Sequence, residues 1–81
     1  MNCLRLESIR PELNRYRYYT LALMPTLWQT WGVACQWGRI GEDPRGAQIH
    51  ECADRDTALC LAAQVIELRL RHGYMVKDSS L

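Results

Sequence analysis

Apolar and polar residues alternate along the first two thirds of the chain and then switch to a helical spacing, a change of period that predicts strands followed by a helix. Residues 3–9 (Cys-Leu-Arg-Leu-Glu-Ser-Ile) alternate imperfectly, as a half-buried edge strand does, and Pro11 ends the run because proline brings no ladder donor. After a polar connection at residues 12–15, residues 16–24 are aromatic, β-branched or aliphatic and predict a central strand. Arg17, Tyr19, Leu21 and Leu23 share one face of it, and Tyr18, Thr20 and Ala22 share the other. Pro25 opens a turn, and a second strong strand is expected over residues 30–39. There Trp31, Val33, Cys35, Trp37 and Arg39 alternate with Thr30, Gly32, Ala34, Gln36 and Gly38, large residues against small. Alternation alone does not say which of these faces is buried.

Residues 41–46 (Gly-Glu-Asp-Pro-Arg-Gly) form the clearest loop, and residues 47–52 return as a shorter strand that would close a hairpin with the preceding one. The rest predicts a helix, with Asp54 as N-cap, Asp56 in the first turn, and Arg69, Arg71 and His72 in the last turn before Gly73 at the C-cap. Leu59, Ala62, Ile66 and Leu70 recur at helical spacing, widened by Ala58, Leu61, Val65 and Leu68, and are expected to form the core face. Burying four aliphatic side chains contributes about 6–12 kcal/mol before entropy, so the helix must dock on the sheet. Tyr74 and Met75 are expected to tuck beneath it, and residues 75–81 read as a tail that frays from Asp78.

An 81-residue chain has room for one domain with one modest core, expected here to span residues 1–81. Its 48% hydrophobic and 23% charged residues are ordinary for a soluble globular protein, and a formal charge of +1 argues for no particular partner. The kind of cation is more telling: nine of the ten basic residues are arginine, whose planar fork of donors suits phosphate and carboxylate and whose face stacks on aromatics. High-GC codon usage explains the same bias. The four cysteines, at positions 3, 35, 52 and 60, show no Cys-x-x-Cys step, and His50 and His72 complete no zinc pattern. Reduced, buried thiols are therefore expected. The N-terminal segment carries Arg5, Glu7 and Arg10 where a secretory leader needs an apolar run, and the longest apolar-rich stretch, residues 58–66, is too short to cross a bilayer. A cytoplasmic protein with no membrane contact is expected.

The stretch from Asn14 to Gly41 resembles the WGR domain family. The resemblance rests on Asn14, Arg17-Tyr18-Tyr19, Leu21-Ala22-Leu23, Trp31-Gly32 and Trp37-Gly38-Arg39-Ile40-Gly41, and Ala58 and Gly73-Tyr74 extend it over residues 14–74. It implies an α+β fold, an antiparallel sheet of about four strands crossed by one C-terminal helix. It also implies a binding role: WGR domains occur in poly(ADP-ribose) polymerases, where they touch the end of broken DNA, and as short independent bacterial proteins. By this resemblance Trp37 packs on a terminal nucleotide, and Arg39 contacts a nucleic-acid backbone or a partner domain. Two departures stand out. Cys52 replaces a commonly aromatic residue, and Glu42 and Asp43 bring carboxylates next to Arg39, where they oppose phosphate binding.

The residue chemistry fits the implied role. An indole stacks on a base or sugar for about 1–3 kcal/mol without sequence preference. Arg39, two residues along the same strand, lies about 7 Å from Trp37 on the same face, close to one phosphate spacing. Gly38 between them permits close approach of a backbone or ligand, and Arg15, Arg17 and Arg45 are candidates for further phosphate contacts. The structural alternatives stand beside these: Trp37 as a core residue with Val33 and Cys35, and Arg39 paired with Glu42, Asp43 or Glu51 to hold the hairpin. No catalytic arrangement, phosphate-cradling glycine loop or metal cluster is visible, so a non-enzymatic module without cofactor is expected. Its partner is DNA ends or another nucleic acid, or alternatively a protein docked on the same face. A contiguous basic patch joining Arg39 to Arg15 or Arg17 favours the first, and a mixed or apolar one the second.

Overall fold

A computed structural model describes residues 2–80 of the chain. In order, these form β1 (Asn2–Arg10), a single 3-10 turn (Pro11–Leu13), β2 (Arg15–Pro25), β3 (Trp31–Arg39), β4 (Pro44–Cys52), α1 (Arg55–Arg71) and β5 (Met75–Ser79). The strands make one sheet in the order β4-β3-β2-β1-β5, with antiparallel neighbours throughout. The fold is α+β as expected, with five strands rather than about four.

The extra strand corrects the reading of residues 75–81 as a tail for its described part, Leu81 lying outside the described residues. β5 pairs with β1 through Leu4↔Ser79, Arg5↔Asp78, Leu6↔Val76 and Glu7↔Met75, with a bulge between Arg5 and Leu6. Beyond it, the Ser80 N–H donates to the Cys3 carbonyl at 2.8 Å. Met75-Val-Lys-Asp-Ser is short and exposed along its length, so no burial pattern marks it as a strand. What recruits it is the open row of donors and acceptors on β1, which a returning chain satisfies. β1 is thus an interior strand and not the expected edge. Met75 is 73% exposed and does not tuck under the helix.

Alternation in the central strands puts one face of the sheet against α1. Tyr19, Leu21 and Leu23 of β2 stand opposite Trp37, Cys35 and Val33 of β3, and Leu4 and Leu6 extend the layer into β1. Burial therefore answers the question left open by the alternation of β3: its large face packs inward. The helix meets this layer through Ala58 and Ala62, both buried, with Leu59, Leu61, Val65 and Ile66 closing around them. Small residues at the point of contact let the helix approach closely, so the core line runs Ala58, Ala62, Val65, Arg69, at steps of four, three and four. Leu68 and Leu70, expected in the core, fall off this line and are each 46% exposed. Cys35 and Cys52 are buried free thiols, whereas Cys3 is half-buried and Cys60 exposed, which departs from the expectation that all four are buried.

Both predicted helix caps are in place. Asp54 accepts the Thr57 N–H at 2.7 Å. At the other end Gly73, with φ of 90°, donates to the Leu70 carbonyl, and the Tyr74 N–H reaches back to the Arg69 carbonyl at 3.1 Å. This left-handed closure turns the chain sharply and returns it to β1. Hydrogen bonds from Thr57 hold the Asp54 carboxyl below its ordinary value of 3.8. A depressed carboxyl contributes stability that is complete above the unfolded value and lost as pH falls through the folded one. Thermal melts should therefore show Asp54→Ala less stable than the parent at neutral pH, with the difference narrowing as pH falls below the ordinary carboxyl value of 3.8.

Candidate functional site

The helix stops short of one end of the sheet, and the uncovered space there is a groove of about 540 Å³. Its walls come from three places: the β1–β2 connection with the start of β2 (residues 13–17), the β3–β4 hairpin (Trp37, Gly38, Arg39, Arg45), and the end of α1 with the residues after it (Arg69, Tyr74). All six residues singled out from the sequence, Trp37, Gly38, Arg39, Arg15, Arg17 and Arg45, line it. Five of the residues that line it are arginines and none is a carboxylate. Register explains part of the clustering. Arg17 stands directly opposite Arg39, and Arg10 opposite Arg15. Like charges facing each other across strands cost stability, so the sheet tolerates here a pairing that packing alone disfavours.

The arginines do different work. Arg39 is already engaged: its Nε lies 3.2 Å from a Glu42 carboxylate oxygen, and its two terminal nitrogens donate to the backbone carbonyl and side-chain Oδ1 of Asn14, each at 3.2 Å. Its guanidinium also lies over the Tyr16 ring, 5.2 Å from the centroid. Asn14 has a left-handed backbone, φ of 51°, and the residues after Arg39 turn through Gly41 at φ of 85°. Arg39 therefore ties two tight turns to each other, and Glu42 offsets its charge. Of the pairings the sequence left open, the one with Glu42 is present. Gly38 likewise accommodates protein: a Cβ there would stand 3.1 Å from the Arg45 backbone nitrogen and 3.2 Å from the Tyr18 ring. Arg45 is the extra residue of a bulge, since Gly38 pairs with Pro44 and Trp37 with Gly46.

Trp37 is half-buried, so its core and surface roles coexist. The indole stacks beside Tyr19, with centroids 5.9 Å apart and planes 9° from parallel, and it lies across Gly46. Over the Tyr19 ring sits the Arg69 guanidinium, 4.4 Å from the centroid, with a buried Nε that has no hydrogen-bond partner among the described residues. Burial and the neighbouring Cys35 thiol push the Tyr19 hydroxyl up to about 12, although Arg69 pulls the other way. Arg69 is the groove arginine that sequence reasoning missed, since an arginine in a last helical turn reads as a solvated charge. The signal lay in its position on the line of Ala58, Ala62 and Val65, which carries it onto the sheet instead of into solvent.

No group of three or more His, Cys, Asp or Glu residues suited to a metal ion occurs among the described residues, and no helix among them is long and apolar enough to cross a membrane. The family model of the WGR domain matches residues 2–80, well beyond the span of the motif itself. Searches of curated proteins and of solved structures find no match.

Two measurements test this packing. Because the folded state holds Tyr19 protonated, unfolding becomes more favourable once pH passes the free phenol value of 10.0, and the loss continues to about 12. Alkaline denaturation should show this loss, and Tyr19→Phe should remove that component. A Cβ on Gly46 would lie 2.6 Å from indole Cε2, so Gly46→Ala should displace Trp37 and alter its fluorescence and near-ultraviolet circular dichroism.

Proposed function

This chain belongs to the WGR domain family, and from that premise we propose that it is a non-enzymatic module that binds nucleic acid, with preference for DNA ends, in the groove beside Trp37. WGR domains bind nucleic acid or protein. The observation that favours nucleic acid is the groove itself: Arg15, Arg17, Arg45 and Arg69 converge with Arg39 in walls that contain no carboxylate. A polyanion is the natural occupant of such a surface. The exposed part of Trp37 supplies a face on which a terminal base or sugar stacks, and the phosphates flanking that nucleotide meet the arginines.

The arginines divide into two sets in this reading. Arg15, Arg17, Arg45 and Arg69 contact phosphate, and Arg39 keeps the groove in shape by holding Asn14 and Glu42. Glu42 and Asp43 lie outside the lining residues, but Glu42 reaches Arg39 at 3.2 Å and offsets its charge, so phosphate contact falls to the other four arginines. Four phosphate contacts limit the salt dependence to a slope of about −3.6 in log affinity against log salt.

Titration of a short duplex bearing a 5′-phosphate, at low and moderate salt, tests the proposal. Trp37→Ala should weaken binding by about ten-fold or more, and Arg17→Ala or Arg69→Ala should each lower the salt slope by about 1. Arg55→Ala, outside the groove, should change neither. Absence of binding at low salt, or binding indifferent to these substitutions, overturns the nucleic-acid reading and leaves the groove to an acidic protein surface.

A further inference from the structure

The opposite end of the sheet carries a second surface with different chemistry. β2 and β3 separate at the Pro25↔Trp31 pair, eight residues and about 26 Å along β2 from Arg17. At the tip of the connecting turn Leu27 is 90% exposed and Trp28 is 75% exposed. Large apolar residues in a loop ordinarily fold back onto the protein, and these two do not.

The turn that presents them is internally braced. The Thr26 N–H donates to the Thr30 carbonyl at 2.9 Å, and the two hydroxyls lie 2.6 Å apart. The Thr26 hydroxyl also accepts the N–H of Trp28 at 3.1 Å and of Thr30 at 3.3 Å. Gln29 completes the turn in a left-handed conformation, φ of 61°. A braced turn holds its apolar side chains in place before any contact, which lowers the entropy cost of binding. Behind the tip, Met24 and Ile49 both come within van der Waals reach over Gly32, and Ile49 is 71% exposed. The apolar surface thus continues from the tip onto the face of the sheet that α1 leaves uncovered.

Charge selects the partner. Glu51 stands opposite Gly32, and Asp54 and Asp56 follow where β4 leads into the helix. All three are exposed, and Asp54 is held ionised by its cap bonds. The cation among them, Arg55, lies over the Trp31 ring, 5.8 Å from its centroid. Glu51 beside the apolar face, with Asp54 and Asp56 at the same end of the sheet, disfavours a phosphate backbone or an anionic bilayer there. We propose that the Leu27–Trp28 tip, with Met24 and Ile49 behind it, is a protein-docking surface that inserts into an apolar pocket rimmed by lysine or arginine on a partner protein. The tip and the groove then serve different partners from opposite ends of one sheet.

A displayed random-peptide library, panned on the full chain and counter-selected on the Leu27→Ser, Trp28→Ser double variant, tests this surface. The expected result is enrichment of peptides with apolar residues flanked by lysine or arginine. A synthetic representative should bind Trp28→Ser about ten-fold or more weakly and Glu51→Gln, Asp56→Asn several-fold more weakly, with no change for Arg17→Ala. Because Leu27 and Trp28 are exposed, the variants at these two positions should keep the parent circular dichroism spectrum and melting temperature. Failure to enrich beyond the counter-selected pool, enrichment of acidic peptides, or equal binding to Trp28→Ser overturns the proposal. So does Trp28-dependent binding to phosphatidylcholine or phosphatidylserine vesicles, or Trp28-dependent self-association in sedimentation, which would assign the tip to a lipid or to a second copy. Because Arg17 and Trp37 play no part in this readout, the outcome is independent of the duplex titration.

Discussion

One helix has to cover one face of a five-stranded sheet, and the rest of the structure follows from how far it reaches. Seventeen residues of helix span about 26 Å, against a longest molecular extent of 45 Å. It packs on β2, β3 and β4 over Val33, Cys35 and Leu21, where an alanine contact brings it close. Beyond its C-terminus the sheet stays open, and the groove is that opening. The left-handed turn at Gly73 sharpens the edge, because the chain leaves the helix axis at once and sends Tyr74 into the groove wall.

The groove shows why a family motif and its function should be read residue by residue. Trp37, Gly38 and Arg39 share one strand yet meet three different demands. Trp37 fills space beside Tyr19 and over Gly46 while keeping part of its ring exposed. Gly38 makes room for the Tyr18 ring and the Arg45 backbone. Arg39 uses its donors on Asn14 and Glu42. Two of the three therefore satisfy the protein's own geometry, and most of the cationic lining of the groove belongs to the arginines around them. A formal charge of +1 conceals this arrangement, because arginines gather at one end of the sheet and Glu51, Asp54 and Asp56 sit at the other.

Arg69 links the core to the groove. It occupies the fourth position on a line of otherwise apolar helix contacts, where its guanidinium covers the face of Tyr19. Tyr19 in turn lies alongside Trp37, so helix, central strand and motif strand are joined through stacked planar groups. A charge in this place avoids full desolvation because the groove keeps it near water, and the aromatic face beneath it compensates part of the remainder. Displacing any member of this stack shifts the others, which connects the stability of the core to the shape of the site.

The amino-acid sequence by itself determined what depends on neighbours within a few residues. Alternation placed Tyr19, Leu21 and Leu23 on one face, Asp54 and Gly73 bounded the helix, and Gly41 set the hairpin turn. The ordered aromatic and arginine positions from Asn14 to Gly41 were enough to identify the family. Only the tertiary structure decided what depends on residues far apart in the chain. β5 exists because β1 offers an unpaired edge to a segment with no burial pattern of its own. Leu68 and Leu70 lie at the surface, and Arg69 over the sheet, because the helix docks along its alanines instead of its leucines. Arg39 is occupied because Asn14, 25 residues away, folds back beside it. Periodicity records which side of an element faces inward, but not which remote partner waits there, since the contacts that decide it are made only when the chain closes on itself.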